Sequence, residues 1–316
     1  MNNLKYRVGL LFVFLTLFCA SILLIRIINT DPKTLVVPIS ETFASVSIPF
    51  IHTKQPMNNS LDQTIQATLN GSQKNYGIVV HNLINNENYA LNEHQVFQSG
   101  SLYKLWVMAT AYDQIKNGVL RENDIMKQEI PILNEKFKIA TEDAERKEGD
   151  ITLSVADALF QMITVSDNYA ALLLSEKVRL SRVAQFLLKN GFTLSKVGTD
   201  GGIPTTTASD IALFFERLYK GTLIDKTYDE KMLDLLKQQT LNNKIPKDLP
   251  ENITIAHKTG ELGYFTHDAG IVYTPKGDYV IVILSESQNP LEAEQLIANI
   301  SESVYRYFTS GMSTTN

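Results

Sequence analysis

Strand-forming segments at the two ends of a long helical stretch constrain this chain more than any other feature. Gly77 to His81 and Tyr89 to Leu91 flank Asn85-Asn86, a pair suited to a hairpin turn. Helical periodicity then runs through about 102–117, 153–164, 169–176, 180–190, 208–220 and 227–238. Strand patterns return at 253–258, 268–274 and 279–285, with Pro275-Lys276-Gly277-Asp278 as a turn. A last helix starts at Asn289-Pro290 and buries Leu296, Ile297, Ile300, Val304 and Phe308. Strands so far apart share a sheet only if the helices between them loop out as a separate layer. The pattern predicts an α+β fold: an antiparallel sheet flanked by helices, plus an all-helical subdomain.

Three short motifs lie on this frame. In Ser101-Leu102-Tyr103-Lys104 a hydroxyl stands three residues from an amine, so the two share a helix face. Leu105, Met108, Tyr112 and Ile115 repeat at helical spacing and Gly118 is placed to end the helix. Ser101 then sits in the first turn, where free N–H groups favour developing negative charge. Leu102, Leu105 and Trp106 would desolvate Lys104 and favour its neutral, base-competent form. Ser166-Asp167-Asn168 follows a helical run, Leu153 to Val165, whose Ser154 and Asp157 have N-cap spacing. Lys258-Thr259-Gly260 ends the β-prone run Ile253-Thr254-Ile255-Ala256-His257.

S-x-x-K, S-D-N and K-T-G, in that order, resemble the signature of class A β-lactamases and penicillin-binding proteins. The flanks agree: Phe97 to Leu105 resembles the family's nucleophile helix, and Met162 to Ala171 its second-motif loop. Thr205-Thr206-Thr207-Ala208 resembles the turn after the Ω-loop, and His257 to Glu261, with His267 to Val272 behind it, the third-motif strand and its partner. The likeness spans about 65–308.

The resemblance implies catalytic roles for Ser101, Lys104, Ser166 and Lys258. Ser101 is the nucleophile, Lys104 removes or relays its proton, and Ser166 passes a proton to the leaving nitrogen. Asn168 would bind the substrate's amide, and Lys258 and Thr259 its carboxylate. Gly260 keeps the strand edge open, and the Ser101 and Glu261 N–H groups form the oxyanion hole. Asp167 is assigned to structure. The Glu261 side chain is expected to point to solvent; the competing reading has it repel an anionic substrate. His267 falls near a carboxylate-binding arginine of many relatives, or is a hairpin histidine without a ligand.

One segment departs from the family. Class A enzymes carry a glutamate in the Ω-loop that activates the deacylating water, whereas Leu194 to Pro204 is shortened and holds only Asp200 as an acid. Glu176 lies too early, on the helix after Asn168. The implied function is a serine acyl hydrolase that opens β-lactams through a Ser101 acyl-enzyme with slow deacylation. The alternatives are a D,D-carboxypeptidase or esterase acting on peptidoglycan fragments, and a β-lactam or cell-wall sensor that acylates once. Few residues precede the apolar N-terminal stretch, which weighs against the sensor.

That stretch, Val8 to Ile25, follows Lys5 and Arg7 and is of bilayer length. Residues 1–29 are expected to be an uncleaved membrane anchor, 30–60 a proline-bearing extracytoplasmic linker, and 61–316 the hydrolase domain, outside the cytoplasm; secretion after signal cleavage is the other reading. The lone Cys19 excludes an internal disulfide. A net charge of −5 announces no nucleic-acid surface, and the five scattered histidines have no metal-ligand spacing. The partners expected are the membrane and a small β-lactam or D-alanyl peptide, for a monomer that needs neither metal nor cofactor.

Overall fold

The computed structural model describes residues 59–199 and 201–309. The anchor and nearly all of the linker lie outside them. Five strands form one antiparallel sheet: β1 (Tyr76–Asn82), β2 (Asn88–Leu91), β7 (Ile255–Leu262), β8 (Phe265–Val272) and β9 (Tyr279–Glu286). Their order is β2-β1-β9-β8-β7, so the first hairpin joins the C-terminal meander through β1 and β9. The register puts Val79 opposite Val282 and Lys258 opposite Ala269. The α+β architecture expected from the sequence is the one found.

Strand periodicity sorts the core into two layers. On β9, Val280, Val282 and Leu284 face the main helical cluster. Tyr279, Ile281 and Ile283 point the other way, into a cluster shared with α1 (Asn59–Leu69) and the terminal helix α9 (Pro290–Thr309). Leu61, Ile65 and Leu69 form the buried stripe of α1, and Ile297, Ile300 and Val304 that of α9.

Three elements lie between β2 and the middle helices. β3 (Phe97–Gln98) pairs with β6 (Thr205–Thr206), a short 3-10 turn covers Gly100–Leu102, and α2 (Tyr103–Lys116) follows at once. Every residue of α2 from Lys104 to Tyr112 is buried, which makes it the central post of the helical layer. Around it stand α4 (Val155–Thr164), α5 (Asn168–Val178), α6 (Leu180–Lys189), α7 (Ala208–Tyr219) and α8 (Lys226–Leu236). Trp106 on α2 packs on Phe192 and Phe214, with ring centroids 4.8 and 5.2 Å away. Ser154 caps α4, its hydroxyl accepting the Asp157 N–H at 3.0 Å.

Two features add to the sequence expectations. Helix α1 begins at Asn59, and a hairpin-like unit, β4 (Ile125–Glu129), α3 (Ile130–Lys136) and β5 (Asp150–Ser154), fills the region before the second motif. Residues 153 and 154, expected as helix, end β5; the helix proper starts at Val155.

Candidate active site

The nucleophile turn is seated on the edge strand by two glycines. A Cβ on Gly260 would lie 2.7 Å from the Ser99 carbonyl oxygen and 2.9 Å from Leu102 Cγ. Gly100, at φ +47°, faces the Glu261 main chain in the same way. Ser101 is therefore held beside the K-T-G strand by backbone contact.

Lys104 reaches from the buried start of α2 across to the second motif. Its Nζ donates to the Ser166 carbonyl at 2.6 Å, to Ser166 Oγ at 3.2 Å and to Asn168 Oδ1 at 2.7 Å. All three ammonium protons are thereby engaged. Burial lowers its pKa from 10.5 to about 8, against the raising influence of Asp167 and Glu145. The apolar neighbours foreseen as the cause, Leu102, Leu105 and Trp106, are all fully buried.

Ser166 lies between α4 and α5 at φ +58°, a left-handed conformation that costs a non-glycine residue about 1–2 kcal/mol. Asp167 holds the turn as the cap of α5, accepting the Ala170 N–H at 2.7 Å, in the structural role expected of it. The strained turn aims Ser166 Oγ at a second amine. Lys258 Nζ donates to Ser166 Oγ at 2.9 Å and to the Thr259 carbonyl at 3.0 Å. Burial pushes the Lys258 pKa well down, and the neighbouring Lys104 charge pushes it further. One hydroxyl thus accepts from two buried amines and keeps its own proton free to donate.

The structure brings Lys104, Ser166, Asn168 and Lys258 into one connected network, with Thr259, Gly260 and Glu261 along the adjoining strand edge. Ser101 Oγ makes no hydrogen bond to Lys104 or to any other described residue, although the two were expected to touch. Such contacts are often loose before a substrate binds.

Several side chains differ from expectation or were not foreseen. The Glu261 side chain is exposed, as expected, but its carboxylate also accepts from Lys244 Nζ at 2.5 Å, a fully buried lysine that has to be paired. Glu145 accepts the Asn168 Nδ2 proton at 2.5 Å. Nothing in the sequence marks either partner: Glu145 lies in a charged run and Lys244 in a segment without periodicity. His267 is buried with both ring nitrogens occupied, Nε2 donating to the Gln98 carbonyl at 2.8 Å and Nδ1 accepting the Ser285 N–H at 3.1 Å. Burial lowers its pKa to about 4, so it is a neutral hairpin histidine.

Glu176 is on α5 with its carboxylate taken by Lys136 and Gln128, away from the network. The segment after Leu194 is closed by reciprocal Lys196–Thr205 backbone bonds of 2.9 and 3.0 Å, with a Gly198–Gly201 turn between them. Asp200 lies outside the described residues.

A nucleophile turn, a lysine-flanked serine and a K-T-G edge strand on this fold define a serine hydrolase of the β-lactamase type. Residues 60–308 match the sequence profile of the beta-lactamase enzyme family, and the chain belongs to it. It is 22% identical over 275 residues to beta-lactamase VEB-1 of Pseudomonas aeruginosa, covering 79% of this chain and 91% of that one. Among solved structures it shares its fold with the beta-lactamase from Sphaerobacter thermophilus, at a TM-score of 0.69 and 21% identity over 80% of this chain and 98% of that chain. A mutant of PBP-A, an acyl-enzyme complex with penicillin G, superposes at a TM-score of 0.68 with 22% identity over 81% and 98% of the two chains.

Proposed function

We propose that this protein opens β-lactams through a Ser101 acyl-enzyme and releases the product slowly. The observation that carries the reading is the Ser166 hydroxyl held between Lys104 and Lys258. Neutral Lys104 takes the Ser101 proton as Oγ attacks the lactam carbonyl, and the N–H groups of Ser101 and Glu261 receive the oxyanion. Ser166 gives its free proton to the leaving nitrogen and is reprotonated from the adjoining amines. The second N–H of the Asn168 amide meets the substrate's amide carbonyl, and Thr259 with Lys258 meets its carboxylate. The acyl-enzyme seen in the related PBP-A mutant fits the same first step.

The short Lys196–Thr205 loop favours a second reading within the same chemistry. It holds no glutamate to activate water and only Asp200 as an acid, a condition that suits a D-alanyl peptidase or a sensor as well as a slow lactamase. We propose too that residues 1–29 tether the domain, with 61–316 on the extracytoplasmic side. Among the described residues, no helix is long and apolar enough to cross a membrane.

The test is labelling by a fluorescent penicillin. Wild type should become labelled and Ser101→Ala should not. Undiminished labelling of Ser101→Ala would falsify the nucleophile assignment, and absence of labelling in both forms would move the reading to D-alanyl or ester substrates.

A further inference from the structure

Lys244 is a fully buried lysine outside the motif network, in the segment between α8 and β7. The main chain of the next residue, Ile245, is pinned from two sides. The Ile245 N–H donates to Asp268 Oδ2 at 3.0 Å, and Ser301 Oγ donates to the Ile245 carbonyl at 2.8 Å. The ammonium is fully buried and needs a partner that reaches it there. That partner is Glu261, whose side chain is 56% exposed while that of Lys244 is 0% exposed.

The geometry of the strand makes this pair more than a structural ion pair. Thr259 and Glu261 are two residues apart on β7 and so share a face. Thr259 is the residue assigned to the substrate's carboxylate, which would arrive beside a carboxylate the protein already holds. On the proposed substrate placement, the buried Lys244 cation and the half-exposed Glu261 anion adjoin the carboxylate subsite. An incoming anion either displaces Glu261 from Lys244 or binds against its charge.

We propose that Glu261 is a displaceable internal carboxylate that occupies Lys244 and sets substrate specificity by competing with the substrate's own carboxylate. Acyl donors with an esterified or amidated acid group escape this competition, and free acids bear it in full. The inference rests on the proposed placement of substrate along β7, and it concerns selectivity alone.

The experiment compares benzylpenicillin with its methyl ester, which has the same lactam and no negative charge. Binding is measured by calorimetry on the Ser101→Ala protein, and acylation rates on the Ser101 enzyme. Glu261→Gln keeps an oxygen for Lys244 and removes the charge. It should tighten binding and speed acylation of the free acid by about tenfold, the scale of one like-charge contact in a half-exposed site. The acid-to-ester ratio is the readout, and the ester, which carries no charge, should gain far less than the free acid. Glu261→Asp, which retains the charge, should leave the preference as in wild type, and Lys244→Met added to Glu261→Gln should erase the gain. Thermal unfolding checks that each variant is folded. Equal effects on acid and ester, or no effect on either, overturn the inference. A wild type that binds both probes and acylates with neither overturns the acyl-hydrolase reading while the calorimetric comparison still decides this one. If neither probe binds, both fall.

Discussion

Gly100 lies against the main chain of Glu261 so closely that a Cβ on it would fall 2.6 Å from the Glu261 nitrogen. The residues just before Ser101, Ser99 and Gly100, are thus in backbone contact with the strand edge. This contact sets the separation of the two N–H groups proposed to receive the oxyanion.

Adding one methyl group should therefore damage chemistry more than folding. Gly100→Ala must relieve both the clash with Glu261 and a φ of +47°. The expected loss in acylation is about 10²–10³-fold, that of a displaced oxyanion donor. The stability cost of local overpacking should be about 1–3 kcal/mol. Stopped-flow acylation and urea unfolding measure the two separately. An alanine variant that acylates at the wild-type rate would disprove the role of this contact.

The lowered pKa of Lys104 gives a signed pH dependence. Its base form is the neutral amine, so acylation should rise with pH, turn over near 8 and stay flat above it. Lys104→Arg, charged throughout, should lose the rise along with most of the activity. A flat profile between pH 6 and 9 would remove Lys104 as the base.

Stability should follow the same group. Lys104 titrates near 8 in the folded protein and near 10.5 unfolded, so between these values the unfolded chain holds more protons. Folding stability then rises with pH across that window, by at most about 3 kcal/mol from this residue. Urea unfolding at pH 8 and 9.5 tests it: Lys104→Met should be steadier between the two pH values than wild type. The same slope in both proteins would assign the effect elsewhere.

Much of this arrangement was legible because its signals are local. The Ser154–Asp157 spacing marks a cap, and the strand alternation of β9 marks a two-faced strand. Leu102 and Trp106 announced the dry surroundings of Lys104. What escaped depends on distant partners. Helix α1 has a clear stripe at Leu61, Ile65 and Leu69, yet it adjoins a proline-bearing segment and finds its core only on α9 and the far face of the sheet. Strand β4 pairs with β5 across twenty intervening residues, so no turn signal joins them. Glu261 follows the K-T-G motif directly, but its partner Lys244 is seventeen residues earlier in a segment without pattern.

The proposed anchor has its own test. Lys5 and Arg7 before an apolar span of bilayer length give an N-in, C-out orientation. In membrane fractions the full-length mass should persist, and external protease should reach the domain. Recovery of a soluble protein starting near residues 20 to 30 would replace the anchor with a cleaved signal.

Slow release, as proposed, would be the kinetic counterpart of a 194–204 segment without a glutamate. Acylation and deacylation use separate proton acceptors, so a chain can keep the first step and lose the second. Lys104, Ser166 and Lys258 form the connected hydrogen-bond network proposed to serve the first. For the second, Glu176 is engaged by Lys136 and Gln128, and the 194–204 segment holds no glutamate and only Asp200 as an acid. Loss of a positioned base slows its step by about 10²–10⁴-fold. Mixing with a penicillin should give a burst equal to the enzyme concentration, then slow turnover, with the adduct visible by intact-protein mass spectrometry. Asp200→Asn and Glu145→Gln separate the remaining acids. If Asp200 activates the water, its amide slows the steady phase and spares the burst. Glu145 is tied to Asn168 and should alter the burst, through substrate positioning, more than the steady phase. A fast steady rate with no accumulated adduct would show that another group, Lys104 included, activates the water, and would sink slow deacylation.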